Sequence, residues 1–292
     1  TPTRSSAASD VYKRQAVTSI GNAATADLNL NGTIYTTSGA ATYTSAGTDL
    51  GGASPTFTTS ADTITFGTGN VTVANGTLTV NSVGGLIDFE GSILGTSDEV
   101  LVLNANAATN NASTNEKVIV AAIGTGNQIH SVSITGRDGI TLEGNITTSD
   151  KATNSASFTG PVSINTATVV IDTDASNNDG TVTFSSTIDS ATGTSRNLDI
   201  VSATGNVTVT GAIGATTALA SLDINQAGGD GDITLTSNIG ADADNPGVTG
   251  VTRIGNAATA DLNLNGTVYS TGGTTTYTSA GTDLGGASPT FT

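Results

Sequence analysis

The chain has 292 residues, a formal net charge of −16 and no cysteine. Its 24 acidic and eight basic side chains exclude nucleic-acid binding by the usual contacts to phosphate, and they disfavour docking on an anionic membrane. No apolar run reaches the length of about 18 residues that a membrane-spanning helix needs. Hydrophobic residues make up 36% of the chain, which is enough for a thin core repeated along an axis.

Residues 1–15, TPTRSSAASDVYKRQ, differ in composition from the rest of the chain. They hold three of its eight basic residues, Arg4, Lys13 and Arg14. The segment is similar to translated sequencing-adapter read-through of the kind found at the ends of reading frames from assembled environmental DNA. We therefore predict that residues 1–15 are non-native and exclude them from fold reasoning. The alternative is a native basic tail.

Residues 17–58 recur at 251–292 with six differences in 42 positions. Self-similarity at a fixed period is typical of repeat architectures. We therefore expect residues 16–250 to form one full repeat unit. Residues 251–292 would then begin the next unit, continuous with the first, in a piece of a longer tandem array.

Almost all of the periodicity in the chain has a period of two, which indicates half-buried strands. Examples are NVTVTG at Asn206, SLDIN at Ser221 and DITLTS at Asp232. No stretch has convincing helical spacing, and DEVLVLNANAATN at Asp98 suits a strand and a turn better than a helix.

A shorter motif, [Ile/Val]-Thr-[Leu/Val/Phe]-x-x-x-Ile, begins at Ile140, Val182, Val207 and Ile233, at spacings of 42, 25 and 26. The first gap is interpreted as two short turns, because Val162–Ile164 and Val169–Ile171 lie inside it. A strand, a corner and a further strand about every 20–26 residues predict an all-β solenoid, whose stacked turns bury their apolar residues in one column. Tandem β-sandwich domains are the alternative.

Two features of the sequence are candidate catalytic sites. His130 is the one histidine, and it follows the parity of Val132 and Ile134, so it is expected to point inward in a structural role. Asp88 and Glu90 share one strand face, opposite Ile87 and Phe89, and paired carboxylates serve as acid and base in glycoside hydrolysis. No cation lies near that pair in the sequence, so a solvated wall is the favoured interpretation and we predict no enzyme activity.

Calcium is the one cofactor that the sequence suggests. Three Asp-x-Asp pairs lie at expected corners, and DTDASNNDG at Asp172 is the richest in oxygen donors. Ca²⁺ takes six to eight oxygen ligands, which flexible acidic loops supply. We predict a calcium site at Asp172, Asp174 and Asp179, with Ser176 and Asn178 as further donors. The alternative is that these residues only form turns.

The stretches GNVTVTGAIGATTALASLDIN and GTVYSTGGTTTYTSAG resemble the repeats of giant bacterial adhesins of the filamentous-haemagglutinin-like and autotransporter-passenger type. This resemblance implies a right-handed parallel β-helix, export to the bacterial cell surface, and a role in adhesion or biofilm formation. The secretion-directing module and the membrane-anchoring barrel of that family are not among these residues.

We therefore expect a structural or adhesive stalk segment of a large secreted or cell-surface repeat protein. Its parent would contact a host, matrix or carbohydrate surface through other parts, with no nucleic acid and no membrane insertion by this segment. The alternatives are a carbohydrate-processing β-helix enzyme and a calcium-stiffened spacer.

Overall fold

The described chain consists of short strands joined by tight corners, and no helix able to cross a membrane occurs in it. The computed structural model describes residues 17–60, 62–96, 98–106, 115–149, 153–174 and 179–292. The segment predicted to be non-native, 1–15, lies outside these ranges.

The strands occupy three walls in the repeating order A, B, C, and we call one circuit of the three walls a turn. Wall A contains β1 (Thr18–Gly21), β4 (Ala41–Thr44), β7 (Ile64–Phe66), β10 (Ile87–Phe89), β13 (Lys117–Val120), β15 (Gly139–Leu142), β18 (Val162–Ile164), β21 (Ile188–Ser190), β28 (Val268–Tyr269) and β31 (Thr290–Phe291). Wall B contains β2 (Asp27–Leu30), β5 (Gly47–Leu50), β8 (Asn70–Val73), β11 (Ile93–Leu94), β16 (Ile146–Thr147), β19 (Thr168–Asp172), β22 (Asn197–Val201), β24 (Ser221–Ile224), β26 (Thr252–Ile254) and β29 (Thr275–Tyr277). Wall C contains β3 (Ile34–Thr37), β6 (Thr56–Thr59), β9 (Thr77–Ser82), β12 (Val100–Ala105), β14 (Ser131–Gly136), β17 (Ser155–Thr159), β20 (Thr181–Phe184), β23 (Val207–Val209), β25 (Ile233–Leu235), β27 (Asp261–Leu264) and β30 (Gly281–Leu284).

All pairs of these strands are parallel, and wall C alone stacks eleven of them. Single-residue bridges continue the ladders where a wall has no full strand, at Ile213 and Ile239 on wall A and at Ile123 on wall B. The fold is therefore a parallel β-helix of about eleven turns. The solenoid prediction is confirmed, and the β-sandwich alternative is wrong.

The core is a column of inward side chains supplied by the period-two pattern. In β9, for example, Leu78 and Val80 are buried, whereas Thr77 and Thr79 between them remain half-exposed. Aromatic rings stack from turn to turn, with ring centroids 4.5 Å apart for Phe66 and Phe89. Each fully buried side chain of this size contributes about 1.5–3 kcal/mol, and no single turn could bury its own.

Corners bring the backbone of one turn very close to the next, and some of them demand glycine. Gly160 has a φ of 127°, and a Cβ there would lie 1.9 Å from the carbonyl oxygen of Gly136. Both the conformation and the space exclude a side chain at this position.

The motif that begins at Ile140 occupies a different corner from the other three copies of the motif. Ile140 lies on wall A, whereas Val182, Val207 and Ile233 lie on wall C. The spacing of 42 therefore covers one turn and two further walls. Val162–Ile164 and Val169–Ile171 are the A and B walls of a single turn, so their interpretation as two short turns was wrong.

The two near-identical segments, 17–58 and 251–292, keep the same internal register but lie on different walls. Thr18 pairs with Ala41 in the first, and the equivalent Thr252 pairs with Thr275 in the second. Yet β1 is on wall A and β26 is on wall B, and every later strand of the second segment is also displaced by one wall. When strands and single-residue bridges are counted along the chain, β1 lies in the first turn and β26 in the tenth. The step from one copy to the next therefore advances the chain by nine turns and one wall.

Candidate functional site

The three aspartates predicted to bind calcium meet at one corner between walls B and C. Asp172 ends β19, and Asp179 lies two residues before β20. Thr173 holds the two ends of this corner in place. Its amide donates to the carbonyl oxygen of Val201 in the next turn, and its hydroxyl donates to the carbonyl oxygen of Gly180 at 2.7 Å. The Asp174 amide donates to Oδ1 of Asp172 at 2.9 Å. One corner therefore holds all three aspartates that the sequence singled out.

Burial and neighbouring groups shift the pKa values of Asp174 and Asp179 in opposite directions. Burial, a hydrogen bond to Asp179 and the negative charges of Asp179 and Asp172 raise the pKa of Asp174 to about 6. Burial alone would raise the pKa of Asp179 as well, but hydrogen bonds from Thr204 and from Asp174 outweigh it and lower that pKa. The Thr204 amide lies 3.0 Å from Oδ2 of Asp179.

Asp174 and Asp179 are therefore near enough to affect each other's ionisation. Across the described ranges, no three His, Cys, Asp or Glu side chains are grouped closely enough to hold a metal ion. Ser176 and Asn178, the further predicted donors, lie outside the described residues. Calcium binding at Asp172, Asp174 and Asp179 stays a prediction.

The other two Asp-x-Asp pairs order the backbone around them. Asp242 accepts hydrogen bonds from the amides of Asp244 and Asn245 and from the Asn245 side chain, and these bonds lower its pKa. Asp232 accepts a bond from the amide of Asp261 in the following turn at 3.2 Å. Both fit the ordinary role of aspartate at turns.

Asp88 and Glu90 face outward on wall A, as the sequence predicted. Ile87 and Phe89 are fully buried, while Asp88 is half-buried and Glu90 is exposed. Burial, together with the nearby charges of Glu90 and Glu143, raises the pKa of Asp88 to about 6.

Glu143 is the member of this acidic group that sequence reasoning missed. It follows β15 and lies two turns from Glu90 along the same outward column, with Ala121 between them. Nδ2 of Asn165, one turn further, donates to Oε1 of Glu143 at 2.9 Å. Glu90 and Glu143 are far apart in the sequence, so only the register of the solenoid relates them. We call Asp88, Glu90 and Glu143 the acidic group of wall A.

A second line of charge runs along wall B. Asp199, Asp223 and Arg253 occupy one outward column in successive turns. Burial is the main cause that raises the pKa of Asp199, and the negative charges of Asp223 and Asp172 add to it. Arg253 forms an ion pair with Asp223 at 3.2 Å. Arg253 replaces Ser19 of the first copy, so it places a positive charge where the second copy meets an acidic column.

His130 does not enter the core. It is half-buried just before β14, and its amide donates to the carbonyl oxygen of Glu99 at 2.7 Å. Ile129 and Val132 are the buried residues here, because the chain bends at His130 before the period-two pattern begins. The prediction that His130 points inward was therefore wrong.

Two shallow clefts lie in the region of the last turns. One is beside Arg253 and Asn256, and the other is beside Tyr269 and Phe291 in the last turn. The residues that line these two clefts include no carboxylate and no histidine. Comparisons with family models, with curated proteins and with solved structures find no match to this chain.

Proposed function

We propose that this chain is a rigid, length-giving segment of a large secreted or cell-surface bacterial repeat protein. The supporting observation is the junction between the copies. Wall C runs from β25 into β27 with unbroken pairing, Ile233 to Leu262 and Leu235 to Leu264. A second copy therefore extends the same solenoid instead of starting a separate domain, and each copy adds reach.

The length added per copy follows from the turn count. Nine and one-third turns at about 4.8 Å each give about 45 Å per copy. Because each copy also steps forward by one wall, equivalent surfaces in successive copies face three directions in rotation. A rod of this kind presents the same features all round its axis.

The location at the bacterial surface and the adhesive role rest on the sequence resemblance to filamentous-haemagglutinin-like and autotransporter-passenger repeats. The fold is compatible with that family, since parallel β-helices pair every turn with the next and leave no free strand edge along their length. The segment's partners would be reached by other parts of the parent protein.

The test compares chains that contain one, two and three copies of the repeat unit. Small-angle X-ray scattering should show the maximum dimension growing by about 45 Å per copy at a constant cross-sectional radius. A cross-section that grows with copy number would contradict the rod. In the parent protein, removing one copy should weaken attachment only as reach is lost; complete loss of attachment by an exported, folded fibre would place the binding site here.

A carbohydrate-processing enzyme is the second candidate, and the raised pKa of Asp88 beside Glu90 favours it. A carboxyl group with a pKa near neutrality can act as a general acid. The acidic group of wall A lines neither of the two clefts described above, however, whereas substrate sites are usually concave. An assay for reducing sugar released from polysaccharides tests this candidate. Release that is lost in the variant Asp88→Asn would establish enzyme activity.

A further inference from the structure

Wall C presents an ordered array of hydroxyl groups to solvent. On or directly after each of five successive strands, β14, β17, β20, β23 and β25, two hydroxyl side chains stand two positions apart with a buried apolar residue between them. We call these ten residues the hydroxyl face: Ser133 and Thr135, Ser157 and Thr159, Thr183 and Ser185, Thr208 and Thr210, and Thr234 and Thr236.

The hydroxyl face has a regular two-dimensional repeat. Ser133 pairs with Ser157, Ser157 with Thr183, and the same column continues through Thr208 to Thr234. The second column is kept in step by ladder hydrogen bonds of 2.8–2.9 Å from the amides of Ser185, Thr210 and Thr236. Hydroxyl groups therefore recur about every 4.8 Å along the rod and about 6.8 Å across it.

The face is free of charge in a strongly acidic chain. Its two columns continue without a charged residue from β3 to β27, through Thr56 and Thr58, Thr79 and Asn81, Val102 and Asn104, and Asn263 and Asn265. The outward columns of walls A and B carry Asp88, Glu90, Lys117, Glu143, Asp49, Asp199, Asp223 and Arg253. Arg137, Asp232 and Asp261 lie only at the margins of the hydroxyl face.

The ten hydroxyl groups are also unused by the protein. Within the described residues none of them takes part in a side-chain hydrogen bond, whether as donor or as acceptor. Outward polar side chains on wall B are different: Asn197 bonds to Thr168 at 3.1 Å and to Ser221 at 2.9 Å. The hydroxyl face thus offers about one donor and two acceptor positions per residue to an external surface.

We propose that the hydroxyl face binds the surface of ice. This goes beyond the length-giving role and does not depend on it. Ice is a planar, repeating lattice of water molecules that each seek donors and acceptors, with repeats of a few ångströms in two directions, as on this face. Wall C is held by continuous parallel pairing, so little conformational entropy is lost when it binds, and many weak contacts act together on one body.

The chemistry of the face favours ice over other repeating surfaces. Charged side chains hold their own hydration shells, and none interrupts the two columns. A polysaccharide surface is the nearest competitor, but sugar sites are usually clefts in which aromatic residues contact the ligand. Here Phe158 and Phe184 lie under the face, fully buried and pointing inward.

The experiment is an ice-partition assay with the whole chain. Ice is grown slowly on a cooled probe in a dilute solution, and the fraction of protein in the ice is compared with that of an inert marker protein of similar size. We expect the chain to be enriched in the ice over the marker. Inhibition of ice recrystallisation is the second readout.

Matched variants assign the effect to wall C. In T183K/T208K/T234K three long charged side chains interrupt the hydroxyl face, and enrichment should fall to the level of the marker. T42K/T65K/T141K makes the same change on the outward face of wall A and should keep the enrichment. Since both sets alter half-buried outward threonines, they carry the same risk to folding, which circular dichroism monitors. If the Lys variant fails to fold, T183V/T208V/T234V keeps the shape, removes three hydroxyl groups and should still lower enrichment.

The proposal is overturned if the native chain is no more enriched in ice than the marker. It is equally overturned if the wall A variant loses enrichment as fully as the wall C variant. Sedimentation with crystalline cellulose or chitin without enrichment in ice would assign the face to a polysaccharide instead.

Discussion

Asp27 and Asp261 are counterparts in the two copies, yet Asp27 lies on wall B and Asp261 lies on wall C. Their local surroundings are the same: Asp27 pairs with Gly47, and Asp261 pairs with the equivalent Gly281. The local sequence therefore determines strands, corners and register, while the wall on which a strand lies is inherited from the turn below it.

The displacement by one wall predicts which residues can be cross-linked. Asn263 lies opposite Thr234 on wall C. Paired parallel strands are about 4.8 Å apart, which is within the Cα separation that a disulfide spans. In T234C/N263C, oxidation should give an intramolecular disulfide, detected as a mass loss of two hydrogens and a mobility shift. The native chain has no cysteine, so no other pairing competes.

A matched pair gives the control. If the second copy occupied the same walls as the first, Asn263 would lie on wall B, above Asp223 of β24. D223C/N263C should therefore remain unlinked. A disulfide in that variant and none in T234C/N263C would show that the copies keep the same walls.

Phe57 and Phe291 are also counterparts, but the first is 1% exposed and the second is 45% exposed. Phe57 stacks on Tyr35 at 4.5 Å and is covered by the following turn. We expect Phe57→Ala to lower the free energy of unfolding by about 3–5 kcal/mol, as truncation of a buried aromatic residue does. Phe291→Ala should cost less than half of that, because much of its surface is already in water.

Urea unfolding followed by circular dichroism measures both substitutions. Since the residues that precede Phe57 and Phe291 are identical in sequence, differences in local strand propensity largely cancel. Equal destabilisation by the two variants would contradict the burial of Phe57 between turns.

The acidic group of wall A predicts that removing the charge of Asp88 stabilises the protein at high pH. The pKa of Asp88 is raised to about 6 by burial, Glu90 and Glu143, so the folded chain holds this proton more tightly than the unfolded chain does. Its cost to folding appears as pH rises above the unfolded pKa of about 4 and is complete above about 6. Asp88→Asn should therefore raise the melting temperature at pH 8 and change it little at pH 4.

Asp49→Asn is a suitable control, because Asp49 is an exposed outward carboxylate on wall B, away from this group. It should shift the melting temperature much less at pH 8. A melting temperature that falls in Asp88→Asn at pH 8 would mean that the Asp88 carboxylate is stabilising, contrary to the raised pKa.

Whether a feature of the fold or site could be predicted from the sequence depends on whether neighbouring residues or distant turns determine it. The alternation in NVTVTG and DITLTS predicted β23 and β25, since one face of each strand is buried. The outward position of Asp88 and Glu90 followed from the same parity. Glu143 could not be placed, because its position depends on the lengths of the turns between, and these vary. Asp261 pairs with Gly281 across a short turn, whereas Val100 pairs with Ser131 across a much longer one.

The same variation hid the hydroxyl face and the displacement of the second copy. Ser133 pairs with Ser157, and Ser157 pairs with Thr183, so the two steps are unequal in sequence and no fixed period reveals their column. Each individual Ser or Thr looked like an ordinary outward residue of a strand. Only the full ladder shows that they align.

The corner of Asp172, Asp174 and Asp179 predicts a response to calcium. The negative charges of Asp179 and Asp172 contribute to the raised pKa of Asp174, and a bound cation would relieve the same repulsion. At pH 7.5, above the pKa of about 6 for Asp174, its carboxyl group is ionised near the charges of Asp179 and Asp172. Millimolar Ca²⁺ should then raise the melting temperature by mass action on the folded state, and Mg²⁺ should raise it less because it requires a stricter geometry.

Acid and two sets of variants separate calcium binding from a general effect of salt on this acidic chain. The rise in melting temperature should shrink at pH 5, where protonation of Asp174 competes with the cation. D172N/D174N/D179N should abolish the response, whereas D242N/D244N should keep it, since Asp242 is occupied by the amides of its own turn. Melting curves that do not move with Ca²⁺ at pH 7.5 would leave the three aspartates of this corner with the turn-forming role alone.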